Sequence, residues 1–306
     1  RGGRAWNRQG RNGGSSVGKR LFLLDGNSLI NRAFYALPPL TNQEGQPTNA
    51  IYGLTNMLFR LKEDYAPDQI LVTFDVSGPT FRHMQYEEYK ANRKGMPDEL
   101  RAQIPVMKDL LDKLGIGRLE LMGYEADDLL GTVSRQGEAE DYQVYIVTGD
   151  RDTFQLISPQ TKVLFTKRGI TETELVDEAA LRQNYGVTPE QVVDLKGLMG
   201  DSSDNIPGVP SVGQKTALKL LQSYGSIEGV YAHIEEIKGK LRDRLVEYER
   251  QAFLSRELAT IRCDAPVQVN LAEVGEMDHE AVRDAFERLG FRTLLDRLGV
   301  RPPTGL

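Results

Sequence analysis

The sequence predicts an α/β protein with a central, mostly parallel sheet flanked by helices. Three apolar runs support this prediction, and each ends in an aspartate: Leu21–Asp25, Ile70–Asp75 and Val144–Asp150. Continuous apolar runs without alternation are typical of parallel strands that are covered on both faces. Ligands of such sheets bind at the carboxyl ends of the strands. Three acids at one sheet edge would repel each other unless cations lay between them, so the pattern predicts a metal site.

The other elements are predicted from periodicity and from helix breakers. A helix is expected over 48–64, where leucine and isoleucine recur at helical spacing. The later elements are a helix over 101–114, a short strand near 118–122, a helix from about 125, and strands at 143–148 and 162–165. From Thr188, a helix cap followed by proline, the composition changes to short helices broken by glycine and proline.

We divide the chain into three parts. Residues 1–20 carry six Arg or Lys and no acid, are rich in Gly, Ser and Asn, and cannot bury a core. They are expected to be a disordered basic tail or linker, with an RGG-like nucleic-acid arm as the alternative. Residues 21–187 are assigned to a metal-dependent α/β domain and residues 188–306 to a helical region.

Composition excludes several classes of protein. Of the 306 residues 40% are hydrophobic and 27% charged, and no apolar stretch approaches the ~20 residues of a membrane span. The single cysteine excludes an internal disulfide and a thiolate zinc cluster, and three scattered histidines offer no zinc site. A metal would therefore be bound by oxygen, which favours Mg²⁺ or Mn²⁺. We expect a cytoplasmic, nucleoid-associated protein.

Net charge does not decide whether the partner is a nucleic acid. The whole chain carries −6, and residues 21–306 carry −12. Net acidity usually argues against nucleic-acid binding. Here many acids cluster in the predicted site, where bound cations would reverse the local field.

Nine acids lie at predicted ends of strands and helices. One strand-end aspartate is often only a helix cap, and acids in a first turn are favoured by the helix dipole without any metal. Nine suggest phosphoryl chemistry, in which two divalent cations about 3.5–4 Å apart replace a protein nucleophile with an activated water. They are Asp25, Asp75, Glu125, Asp127, Asp128, Asp150, Asp152, Asp201 and Asp204.

A glycine-rich segment, Gly208–Thr216, nearly spells a phosphate-binding P-loop. It carries an extra residue before Lys215 and follows a proline-rich turn rather than a strand, so the nucleotide-binding interpretation fails. A helix–hairpin–helix over about 190–224 fits better, with backbone N–H groups at Gly208 and Gly213 and the side chains of Lys215 and Lys219 gripping duplex phosphates. Such contacts do not read sequence.

Six ordered motifs carry a resemblance to a known family. They are Asp25-Gly-Asn-Ser with Asn31–Leu37, Phe74-Asp75, Tyr89–Arg93, Gly123–Asp128, Thr148–Asp152 and Gly200–Gly208. Together they closely resemble the 5′-nuclease (5′-3′ exonuclease) domain of bacterial DNA polymerase I, within the flap endonuclease family. The resemblance covers about residues 20–300.

The resemblance implies two or more Mg²⁺ (or Mn²⁺) ions held by the nine acids. Asp25, Asp75, Glu125, Asp127 and Asp128 would surround one site, and Asp150, Asp152, Asp201 and Asp204 the other. It also implies a K⁺ ion on the backbone carbonyls of the hairpin. The partner would be DNA with a 5′ flap, nick or junction.

The segment at about 77–101 is rich in Arg, Lys and Tyr, and by composition it could equally be a solvated face. The resemblance implies a helical arch over the active site, in which Lys90 and Arg93, at i and i+3 on one helical face, contact the scissile phosphate. Arg82 would bind DNA nearby. Phe34 and Tyr35 are expected either to stack on a splayed base or to lie in the core.

The leading hypothesis is a Mg²⁺-dependent nuclease that hydrolyses DNA at 5′ flaps or ends near a single-strand/duplex junction. An acidic α/β ribonuclease is the first alternative, although the predicted hairpin suggests duplex gripping. A non-catalytic DNA-binding module is the second, but it would not need nine carboxylates. We expect a monomer, either independent or tethered to a DNA polymerase in a longer chain.

Overall fold

The computed structural model describes residues 18–298. Most of the predicted basic tail and the last eight residues therefore lie outside the described part. Within it, a six-stranded sheet has the order β3-β2-β1-β4-β5-β6. The strands are β1 (Arg20–Asp25), β2 (Gln69–Thr73), β3 (Gly117–Leu119), β4 (Gln143–Thr148), β5 (Thr161–Arg168) and β6 (Glu172–Val176).

The first five strands are parallel, as predicted, and β6 runs antiparallel to β5. The edge strand β6 was not predicted. Its sequence Glu-Thr-Glu-Leu-Val is largely solvent-exposed and lacks the continuous apolar run of a central strand.

Helices connect and cover the strands. Those of the first part are α1 (Gly26–Ala36), α2 (Asn49–Tyr65), α3 (Phe81–Gln85), α4 (Asp98–Arg101), α5 (Gln103–Leu114), α6 (Ala126–Ala139) and α7 (Glu178–Tyr185). The later ones are α8 (Pro189–Met199), α9 (Gln214–Tyr224), α10 (Ile227–Ala232), α11 (Gly239–Glu247), α12 (Glu249–Ala259), α13 (His279–Leu289) and α14 (Arg292–Arg297). Short 3₁₀ helices span Arg151–Leu156 and Ile234–Glu236. None of the helices described is long and apolar enough to cross a membrane.

Strand β1 shows why the apolar runs are continuous. Phe22 and Leu24 point into a core shared with α1, α2 and α5, whereas Leu21 and Leu23 point into a second core on the opposite face, with α6. All four side chains are fully buried. Successive residues of a strand face opposite sides, so a strand covered on both faces has no position for a polar side chain.

The helical part begins as predicted. Thr188 caps α8, and its own N–H donates to the side-chain oxygen of Gln191 at 3.0 Å. Helices α8 and α9 flank the loop 200–213 and share a separate core with α10, α11 and α12. In that loop Gly208 has φ +62°, and a Cβ atom there would lie 2.2 Å from the Gly200 nitrogen, so only glycine fits.

The C-terminal helices return to the α/β layer. Val282 and Phe286 of α13 are fully buried in the core that also contains residues of α2 and α5. Residues 277–298 thus share a core with the sheet across the predicted division at 187/188, which itself stays a prediction.

Candidate metal centre

Four neighbouring strands bring acids to one edge of the sheet. Asp25 closes β1, Asp75 lies two residues beyond β2, and Asp150 lies two residues beyond β4. Glu125 and Asp127 stand at the start of α6, the helix that follows β3. Strands β2 and β3 lie on one side of β1 and β4 on the other, so these acids surround a point where the strand order reverses.

A second group of acids lies against the first. Single carboxylate oxygens of Asp152, Asp201 and Asp204 are within 4.8 Å of one another. Asp152 belongs to the 3₁₀ helix after β4, and the other two belong to loop 200–213, which α8 places beside that helix. A pair of backbone hydrogen bonds between Asp201 and Ile206 closes the turn. Oxygen ligands at such separations suit a hard divalent cation.

The two groups form one electrostatic unit. Burial, with Asp75 and Asp150 nearby, raises the pKa of Asp25 to about 7. Burial, followed by the charges of Asp25 and Asp150, raises the pKa of Asp127 well above its ordinary value. Burial and Asp150 raise the pKa of Asp152 to about 8. Asp150 thus acts on both groups, whereas the sequence analysis assigned it to one.

Hydrogen bonds orient these carboxylates without using up their oxygens. Asp25 accepts from the Ser28 N–H through Oδ1 at 3.2 Å and from the Thr148 hydroxyl through Oδ2 at 3.0 Å. Asp150 accepts from the Asp152 N–H through Oδ1 at 2.9 Å. A carboxylate oxygen has two acceptor positions, so each of these oxygens retains one for a cation.

The two basic side chains that were predicted to be catalytic form ion pairs with acids of the centre. Lys90 pairs with Glu125, and Arg93 pairs with Asp204. Lys90 and Arg82 lower the pKa of Glu125 against the effect of its burial. The structure therefore places both basic side chains at the centre, one on each group of acids.

The predicted helical face bearing Lys90 and Arg93 is not formed. Residues 86–97 are turns and irregular structure between α3 and α4. Lys90 has φ +56°, and its N–H donates to the Asp204 carbonyl at 2.8 Å. The segment instead binds loop 200–213: Asn205 donates to the Glu88 carbonyl at 2.8 Å. These contacts outside the segment replace helical hydrogen bonds.

Lys196 was missed by the sequence analysis. Its ammonium group lies 3.1 Å from Asp201 and 3.4 Å from Asp152. Burial opposes its charge, but these two acids raise its pKa above the ordinary value. The only available signal was a lysine at the end of the helix that precedes Asp201.

Two predictions are corrected by one buried ion pair. Arg82, expected to bind DNA, is 2% exposed, and Asp128, expected to bind metal, is fully buried. Their groups pair in a fork at 2.8 and 2.9 Å. The other Arg82 donors reach Glu125 and the carbonyls of Leu258 and Thr260, so all five N–H groups are used. Neither side chain is free for a ligand.

Phe34 and Tyr35 have different surroundings. Phe34 is partly buried and packs against the core of α1 and α2, whereas Tyr35 is 66% exposed. Their rings meet edge to face at 5.1 Å between centroids. Tyr35 is therefore the more exposed of the two rings.

The hairpin residues also differ. Gly208 is buried, and its N–H donates to the Ser255 hydroxyl at 2.9 Å, so the prediction that it binds DNA is wrong. Gly213, Lys215 and Lys219 are exposed at the start and along one side of α9. Exposed N–H groups at a helix start suit a phosphate.

Comparison with known proteins identifies the family. A model of the N-terminal resolvase-like domain of 5′-3′ exonucleases matches residues 20–186, and a model of their C-terminal SAM fold matches residues 187–281. DNA polymerase I of Bacillus subtilis is 48% identical over 284 residues, which are 92% of this chain and 32% of that protein. The chain therefore belongs to the 5′-3′ exonuclease family and spans about a third of the length of the curated relatives it matches.

Solved structures share the fold. T5 5′-exonuclease with bound zinc has a TM-score of 0.66 at 21% identity, covering 89% of this chain and 100% of that one. The catalytic core of Rad2 in complex with a DNA substrate has a TM-score of 0.58 at 17% identity, covering 92% and 94%. The predicted mixed α/β fold is thereby confirmed.

Replacing Arg82 by alanine should destabilise the protein by about 3–5 kcal/mol, because Asp128 would remain buried without its counter-charge. Equilibrium urea unfolding measures the loss. Arg262 is the matched control, since both guanidinium groups lie over the Phe81 ring, at 4.4 and 4.5 Å, but Arg262 is exposed. Arg262→Ala should change stability by no more than about 0.5 kcal/mol. Equal losses in the two variants would contradict the role of the buried pair.

Replacing Asp127 by asparagine should stabilise the metal-free protein at pH 8. The folded-state pKa is raised, so ionisation costs the fold nothing below the ordinary carboxyl pKa of about 4 and progressively more as pH rises. The destabilisation therefore begins above about pH 4 and grows as pH rises toward the raised pKa of Asp127. We expect a melting temperature a few degrees higher at pH 8, where about 1 kcal/mol shifts it by 2–4 °C, and no difference near pH 4. The exposed Asp98→Asn serves as control; a pH-independent difference would contradict the electrostatic cause.

Proposed function

We propose that this protein is a divalent-metal-dependent 5′-nuclease that hydrolyses DNA phosphodiester bonds at 5′ flaps or ends near single-strand/duplex junctions. The observation that carries the proposal is the joining of two groups of acids through Asp150, with Lys90 paired to one group and Arg93 to the other. Family membership supports the reaction class. The carboxylate unit argues against a non-catalytic binding module, because acids next to phosphate repel it unless cations intervene.

The donor set fits Mg²⁺ or Mn²⁺. Every candidate ligand is a carboxylate oxygen, and hard cations prefer such ligands. Asp25, Asp75, Glu125 and Asp127 would hold one ion, Asp152, Asp201 and Asp204 another, and Asp150 would serve both. When bound, the ions would stabilise the charge of the reacting phosphate and acidify water. The zinc in T5 5′-exonuclease supports a divalent metal here.

The basic side chains would act on the substrate. Lys90 and Arg93 now pair with acids; with cations on those acids, both would be released toward the scissile phosphate and stabilise its developing charge. Tyr35, exposed in the last turn of α1, would stack on an unpaired base. Lys196, between the acids of the second group, would hold them in place until an ion binds.

Duplex DNA would be bound at a surface separate from the metal centre. Gly213, Lys215 and Lys219 present exposed donors on α9, and such contacts to phosphates are independent of sequence. The carbonyl groups of loop 200–213 would hold K⁺. Because the relatives are about three times longer, we propose that the domain works tethered to a polymerase. The DNA bound to the Rad2 core supports DNA as the partner.

A labelled 5′-flap DNA and a single-stranded RNA of the same sequence, each with Mg²⁺ or with excess chelator, test the function. We expect cleavage of the flap alone, and only with Mg²⁺. Asp150→Ala should abolish cleavage, since both groups of acids lose a member. Asp98→Ala, whose acid is exposed and pairs with neighbouring Arg101, should cleave normally. Full cleavage in chelator would refute the metal requirement, and preference for RNA would favour a ribonuclease.

Lys90→Ala and Lys215→Ala should separate chemistry from binding. If Lys90 stabilises charge that develops only in the transition state, its loss should lower the single-turnover rate by about 10²–10³ at saturating enzyme, with little change in DNA affinity. Loss of Lys215 should weaken affinity and reduce the salt slope by about one, while saturating enzyme restores the rate. A near-normal rate for Lys90→Ala at saturation would remove this residue from the reaction.

A further inference from the structure

Thr148 connects the two strand-end acids at the middle of the centre. Its side chain is fully buried. The hydroxyl donates to Asp25 Oδ2 at 3.0 Å and accepts from the Asp150 N–H at 3.0 Å. The direction of both bonds is set when Asp25 is ionised, because a backbone N–H can only donate and an ionised carboxylate can only accept. One hydroxyl therefore links acids that follow two different strands.

The link lies where the pairing between β1 and β4 ends. Leu24 and Val147 are the last residues that pair these two strands with each other, and Asp25 and Thr148 follow them. Beyond this point β1 continues into α1, and β4 continues into the 3₁₀ helix that follows it. The orientation of the Asp25 carboxylate relative to that of Asp150 must then be determined by side chains. It needs such support because the two carboxylates repel each other.

We propose that Thr148 is a positioning residue of the metal centre, whose buried hydroxyl fixes the orientation of the Asp25 carboxylate relative to Asp150. The inference rests on the proposed function, since it concerns carboxylates that bind a divalent cation. Hydrogen-bond partners of metal-ligating groups typically account for 10–100-fold in metal affinity or activity. Thr148 would act through Asp25 and Asp150 and would itself touch neither ion nor substrate.

Two substitutions at this position isolate the hydroxyl. Thr148→Val keeps the shape and removes the donor, whereas Thr148→Ser keeps the donor. Isothermal titration of the folded, DNA-free protein with Mn²⁺ should show affinity about 10–100-fold weaker for the valine variant and within a few-fold of wild type for the serine variant. In flap cleavage, the Mn²⁺ concentration that gives the half-maximal rate should be much higher for the valine variant and close to wild type for the serine variant.

Thr132→Val is a matched control. Thr132 is 3% exposed, and its hydroxyl also makes one donated and one accepted bond, to the Asp128 carbonyl at 2.8 Å and from the Ala265 N–H at 3.0 Å. Neither partner is a carboxylate, so this variant should lose comparable stability in a thermal melt but keep its Mn²⁺ affinity.

Two results would overturn the role of Thr148: wild-type Mn²⁺ affinity in Thr148→Val, or an equal loss of affinity in Thr132→Val. If Thr148→Val does not fold, Thr148→Ala and Thr148→Ser differ only by the hydroxyl, and equal affinities would overturn the proposal in the same way. Absence of Mn²⁺ binding and of metal-dependent cleavage in the wild type would refute the proposed function itself, which distinguishes the two failures.

Discussion

Mutual repulsion among carboxylates at one edge of the sheet is the constraint on which the rest of the structure depends. The apolar faces of β1 and β4 bury completely and carry their terminal acids with them. Asp25, Asp127 and Asp152 consequently have raised pKa values in a buried, negatively charged cleft. The packing of the two cores keeps these carboxylates close together although their charges repel each other. Such a local conflict is typical of a site that is organised to bind ligands rather than to stabilise the fold.

The protein partly balances this charge with its own cations. Lys90, Arg93 and Lys196 each pair with acids of the centre. Because Lys90 and Arg93 lie on the segment between α3 and α4, the same pairs hold that segment against the start of α6 and against loop 200–213. Divalent cations and a DNA phosphate would compete for both partners of these pairs, so ligand binding and the position of the segment are physically coupled. Arg82 has a different role, since its guanidinium is enclosed with Asp128 at the base of the segment.

The partners of neighbouring charged residues could not be predicted from the sequence. Asp127 and Asp128 occur in one acidic cluster, but successive helical residues point about 100° apart. One therefore lies among the acids of the centre and the other pairs with Arg82. Similarly, Lys90 and Arg93 have helical spacing in the sequence, but hydrogen bonds to Asp204 and its neighbours favour turns instead. These choices depend on partners that are distant along the chain.

The sequence by itself determined the buried parallel strands, because such strands require continuous apolar runs, and it determined which acids end them. It also indicated the helix start at Thr188 and the family, through short motifs in a set order. Only the tertiary structure decided which charged groups face each other: Arg82 with Asp128, Lys196 with Asp201, and Thr148 between Asp25 and Asp150. Local patterns record burial and backbone conformation, whereas pairing between distant side chains is set by how the strands, helices and loops pack together.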